Sequence, residues 1–157
     1  MQNPVMVPLS RKSPVPPERC NLARAVEQIG DRWTLLILRS ALYGVRRFDD
    51  FQTELGTPRT ILSGRLKALV ETGLLAKRTY KVEGRRARPE YVLTEKGEAL
   101  RPVLIALTQW GDQWLDGEGQ PPISFTDMKS RQAIRTAFVT EDGREVPVNN
   151  MRIVLRR

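Results

Sequence analysis

Between Arg59 and Lys67 the chain reads RTILSGRLK, a short run in which guanidinium, hydroxyl and ammonium groups recur at helical spacing. On a helix of about 3.6 residues per turn, Thr60, Ser63, Gly64, Lys67 and Glu71 fall on the side opposite Leu62, Leu66, Leu69 and Val70. Arg59 stands at the N-terminal end of the same segment. An arginine can pair bidentately with guanine, and serine and threonine hydroxyls can bond base edges or phosphates. Arg59, Thr60, Ser63 and Lys67 are therefore candidate DNA contacts. Downstream, Ala76–Glu90 carries six cations against only Glu83 and Glu90. Within it Lys81, Arg85, Arg86 and Arg88 are candidates for phosphate contact, with entry of one arginine into a narrow minor groove as the other use. Arg46 and Arg47 are weaker candidates for the backbone. Taken one at a time, an amphipathic helix and a solvated charge run would explain both segments equally well.

Other chemistries are poorly served. The 157 residues contain no histidine and a single cysteine, Cys20. Within one chain this removes Cys/His zinc sites, Ser-His-Asp and Cys-His catalytic sets, and any intramolecular disulfide. No Gly-rich phosphate loop and no prominent carboxylate pair is present, so no enzyme active site, cofactor or metal is expected. Net charge is +8, from 26 Lys+Arg against 18 Asp+Glu. That balance favours polyanionic partners. No apolar run approaches the roughly 18 residues of a membrane span, and Met1–Pro17 lacks a signal-peptide core, so a cytoplasmic protein without membrane attachment is expected.

The elements that must position these groups follow from periodicity. Residues 1–17, with several prolines, read as a flexible lead. Cys20–Ile29 and Arg32–Leu42 read as helices, the second capped by Asp31 and apolar on nearly every side, so that Trp33 is read as packing. Phe48–Leu55 is a short helix with Phe48, Phe51 and Leu55 inward. Gly56 allows a turn, Thr57 is expected to cap the next helix, and Pro58 to open it, giving Pro58–Thr72. Leu74–Val82 and Glu90–Leu93 read as strands joined by a loop, Glu83–Pro89. Thr94 caps a long helix from Glu95 to about Leu115, kinked at Pro102. Its Leu100, Val103, Leu104, Leu107, Trp110 and Trp114 form an apolar stripe that suits either a partner or its own domain. After GEGQPP, the runs Ile134–Thr140, Arg144–Val148 and Met151–Leu155, with a turn at Asp142-Gly143, predict a small β extension. The expected fold is mainly α with a small β wing (α+β). It is a winged helix-turn-helix over residues 18–116, with a β-hairpin-like extension over 117–157.

Three segments, CNLARAVEQIGDRWTLLILRSALYGVRRFDDFQTEL, PRTILSGRLKALVETGLL and YVLTEKGEALRPVLIALTQWG, resemble the HxlR-type winged helix-turn-helix regulators of bacteria. The resemblance runs from Cys20 to Trp114 and includes, in order, D-R-W-T-L-L-I-L-R, L-x-x-R-L-K-x-L and L-T-E-K-G. It implies a cytoplasmic homodimer built from the first and last helices of the domain. The dimer would bind double-stranded DNA at a pseudo-palindrome, as a repressor. It also implies that Cys20, just before the first helix, is either a sensor of oxidants or small electrophiles or a packing residue. The chain departs from the family pattern at Gly64, where a larger polar residue is usual, and in a C-terminal extension that has no Cys or His. The alternative reading is a winged-helix interaction module without base readout.

Overall fold

The computed structural model describes residues 15–80, 88–115 and 121–154. Residues 1–14 of the lead expected over 1–17, the end of the first expected strand at Val82, residues 83–87 of the expected wing loop with the cations Lys81, Arg85 and Arg86, the GEGQ of the expected GEGQPP break, and residues 155–157 lie outside the described residues. After a turn of 3-10 helix at Pro17–Arg19 come α1 (Asn21–Ile29), α2 (Arg32–Leu42), α3 (Phe48–Leu55) and α4 (Arg59–Glu71). They are followed by β1 (Leu75–Tyr80), β2 (Arg88–Leu93), α5 (Glu95–Glu98) and α6 (Arg101–Trp114). The extension holds β3 (Phe138–Val139), β4 (Glu145–Val146) and a final 3-10 turn, Val148–Asn150.

The core lies where α2, α3, α4 and the start of β1 converge. Ile37, Leu38, Phe51, Leu62, Leu66, Leu69, Leu74, Leu75 and Leu104 are buried, with Phe48, Leu55 and Val70 packed against them. Asp31 caps α2 by accepting from the Trp33 and Thr34 N–H groups at 3.0 and 3.2 Å. Trp33 itself stays half-buried under the Arg32 guanidinium, 4.9 Å from its ring centroid. Gly56 ends α3 with φ 59°, a left-handed conformation that favours glycine.

Thr57 does not cap α4. The capping position belongs to Pro58, whose carbonyl accepts from Leu62 N–H at 3.0 Å, and the helix begins at Arg59. Thr57 is instead turned inward, and its buried Oγ1 has no hydrogen-bond partner among the described residues.

Strands β1 and β2 pair antiparallel from Leu75↔Leu93 to Tyr80↔Arg88. The second strand therefore begins two residues earlier than expected, so Arg88 and Pro89 belong to the stem of the wing. A third segment joins the sheet, because the Arg46 carbonyl accepts from Tyr91 N–H at 2.7 Å and Arg47 bridges Glu90.

The expected long C-terminal helix is two helices. Proline lacks an N–H and its ring clashes with the carbonyl four residues back, so the chain turns through Ala99–Leu100 and α6 starts afresh with Pro102 in its first turn. Leu104 faces the core. Val103, Leu107, Trp110 and Trp114 are exposed, as are Leu22 and Val26 of α1.

The extension pairs less than its composition predicts. Among the described residues, a ladder forms only at Phe138↔Val146 and Val139↔Glu145, closed by Gly143 at φ 85°, beside an isolated bridge at Thr126↔Ala133, and no strand forms over 151–154. Strands this short have no apolar face to bury against a core, and an isolated hairpin is marginal in water. The Gln109 side chain of α6 bonds the backbone of the extension. Gln109 donates to the Ile134 carbonyl at 3.1 Å and accepts from Thr136 N–H at 2.8 Å, as a neighbouring strand would.

Candidate nucleic-acid interface

Burying Leu62, Leu66 and Leu69 turns the opposite side of α4 to solvent. Thr60, Ser63 and Lys67 are all exposed there, as expected. Lys67 is 3.7 Å from Glu71, one turn on. An ideal Cβ at Gly64 would meet nothing within 4 Å, so neither backbone conformation nor crowding requires glycine. Ile61, also exposed, is an apolar neighbour that the polar pattern does not reveal.

Arg59 is held by three neighbours. Its Nη1 donates to Gln52 Oε1 at 3.1 Å and lies 3.5 Å from Asp49 Oδ1, while the guanidinium sits 4.7 Å from the Phe48 ring centroid. All three partners lie on α3, so the first helix of the motif presents the leading arginine of the second. Arg88 at the wing stem approaches the other oxygen of Asp49 at 3.8 Å. The start of α4 and the wing stem therefore share one counter-ion, Asp49. Arg46 and Arg47 are exposed at the third strand segment beside that stem.

Other charged groups serve the scaffold. Arg65, next to the DNA candidates in sequence, lies 3.3 Å from Asp31 and ties α4 to the cap of α2. Burial works against ionisation of Asp31, but hydrogen bonds from Thr34 and Trp33 and the nearby Arg65 charge hold its carboxyl below the usual range. Glu54 on α3 accepts from Arg39 at 2.5 Å and from Ser40 Oγ at 2.8 Å, fastening α3 to α2. Lys96 donates to the Thr72 carbonyl at 2.8 Å, placing a cation at the C-terminal end of α4. Apart from the local cap at Asp31, these contacts do not follow from spacing along one helix, because each depends on how two helices meet.

Cys20 is a free thiol, half-buried, at the N-terminal cap position of α1, where its side chain makes no capping bond. Among the described residues no cluster of acidic or thiol groups could hold a metal ion, and no helix is long and apolar enough to cross a membrane.

A model of the HxlR-like helix-turn-helix family matches residues 28–119. The uncharacterized HTH-type transcriptional regulator Rv3095 of Mycobacterium tuberculosis is 41% identical over 132 residues, 83% of this chain and 82% of its own. Among solved structures, PA1607, a candidate transcription factor, is similar with TM-score 0.74 and 34% identity, over 86% of this chain and 94% of that one. PA1374 from Pseudomonas aeruginosa, described in the same terms, gives 0.60 and 37% over 87% and 92%.

Proposed function

We propose that this chain, which belongs to the HxlR-like helix-turn-helix family, is a DNA-binding transcriptional regulator acting as a homodimeric repressor in the cytoplasm. Helix α4 enters the major groove with Arg59, Thr60, Ser63 and Lys67 toward base edges and phosphates. The wing, with Arg88 at its stem and Lys81, Arg85 and Arg86 beyond, grips the flanking backbone. The observation that carries this reading is the convergence of Arg59 and Arg88 on Asp49, which brings the start of α4 and the stem of the wing to one place. The work of the molecule is binding rather than catalysis.

Two copies meet through the apolar stripes left open on α1 and α6. Their recognition helices then read half-sites about 34 Å apart, one helical turn of DNA. A thiol at a helix N-terminus beside that contact is placed to respond to an oxidant or small electrophile. Because the chain has one cysteine, Cys20 must pair with the other subunit or with a small thiol.

Binding to the upstream region of its own gene, measured across salt concentrations, tests the reading. Arg59→Ala should lower affinity for the preferred sequence by about 1–3 kcal/mol. The Arg85→Ala, Arg86→Ala double variant should weaken binding to every sequence and reduce the logarithmic salt slope by about two per subunit. Absence of any complex, or an affinity indifferent to salt, would sink the proposal. Oxidation should change DNA binding of the wild type and not of Cys20→Ser; equal behaviour of the two removes the sensor role alone.

A further inference from the structure

We propose that Asp49 is a positioning residue for Arg59 and sets the ratio of specific to nonspecific DNA binding; this inference rests on the DNA-reading function proposed above. A carboxylate beside a surface meant for a polyanion is electrostatically out of place. Stability does not account for it, since Asp49 and Arg59 are each 66% exposed on their side chains and their ion pair is long. Nor does the N-terminus of α3 account for it, because Asp50 supplies negative charge in the same first turn and makes no ion pair among the described residues.

The geometry supplies a different use. Asp49 and Gln52 both engage Nη1 of Arg59, and the Phe48 ring covers one face of the guanidinium. Nη2 and Nε make no hydrogen bond among the described residues, so a donor pair is left with its orientation fixed from behind. A base edge that accepts this pair, such as the N7 and O6 of guanine, can be read while Asp49 keeps its partner. On any other sequence the arginine gains most by turning to a phosphate. That movement leaves Asp49 unpaired against the DNA backbone, and Arg88, drawn to the same backbone, cannot relieve it. The carboxylate thus penalises the wrong complex more than the right one.

The test compares a duplex selected by the wild-type protein from a random pool with a shuffled duplex of the same length. Asp49→Asn should bind the shuffled duplex about twofold to fivefold more tightly, the range of an exposed ion pair. Its salt slope there should steepen by about one per subunit as Arg59 becomes free for phosphate. The selected duplex should gain less, so the specificity ratio falls. Asp50→Asn removes the same charge one residue away and should leave the ratio unchanged. In an Arg59→Ala background, Asp49→Asn should no longer alter the ratio. A wild type that selects no sequence overturns both the DNA-reading function and this inference. A wild type that selects, with a ratio unaffected by Asp49→Asn or reduced equally by Asp50→Asn, overturns this inference alone. Equal loss of affinity for both duplexes would reduce Asp49 to a residue of the fold, and overturn it too.

Discussion

At the Asp31 carboxylate the N–H groups that open α2 meet the Arg65 guanidinium of α4. Both side chains are partly exposed, so the ion pair contributes little and the helix cap dominates. The carboxyl is held below its ordinary value when folded. Its contribution is therefore present above the unfolded value of about 3.9 and is lost as pH falls through the folded value. Asp31→Asn keeps a capping oxygen and removes the titration. The variant should be less stable than wild type at pH 7, by under about 1 kcal/mol, with the gap closing in acid. Urea unfolding at pH 7 and pH 3 checks this. Thr57 offers a test of opposite sign. Were it a helix cap, losing its hydroxyl would cost about 1 kcal/mol. As a buried hydroxyl without a partner among the described residues, it should be replaceable in Thr57→Val with no loss, or with a gain of about 0.5–1 kcal/mol in the same assay.

Among the elements, the turn from β2 into α5 shows why a short motif can be demanding. Thr94 Oγ1 donates to the Gly73 carbonyl at 2.6 Å and accepts from Gly97 N–H at 3.1 Å, while Lys96 holds the C-terminal carbonyl of α4. A Cβ at Gly97 would lie 2.2 Å from the Leu74 carbonyl oxygen, a backbone atom with no room to yield. Gly97→Ala should therefore destabilise the domain by about 1–3 kcal/mol, read as a lower thermal midpoint. The capping role of Thr94 was legible in sequence, but the close approach that forces glycine was not, since it involves the backbone of Leu74, just before β1 and distant in sequence. Similar limits apply elsewhere. Helices α2, α3 and α4 were legible because each combines a breaker with an apolar stripe. The break before α6 was not, because a proline inside an apolar period reads alike for a kink and a stop. The pairing of Arg46 and Arg47 with β2 uses backbone groups and leaves no side-chain period. At the candidate site, the outward side of α4 was legible from its inward leucines. The hold of α3 on Arg59 appears only when two helices are placed together.

For the whole molecule, the informative surfaces are those left uncovered. Helix α6 spends one side on the core through Leu104 and another on the extension through Gln109. Its third side presents Val103, Leu107, Trp110 and Trp114 to solvent, while α1 exposes Leu22 and Val26. If these faces join two copies, Trp110→Glu should raise the dimer dissociation constant by about thirtyfold or more, as loss of an aromatic anchor does. Sedimentation at matched concentrations would show it, and an unchanged dimer would move the contact elsewhere. Gly64 sits at the opposite extreme of constraint. Open space around it means that the scaffold does not choose its side chain, and most replacements should raise helix propensity, alanine by up to about 1 kcal/mol. If α4 reads DNA as proposed, a site there that tolerates new side chains is where preference for an operator can drift without endangering the fold. A copy of this gene diverging after duplication could acquire new targets there through a single codon.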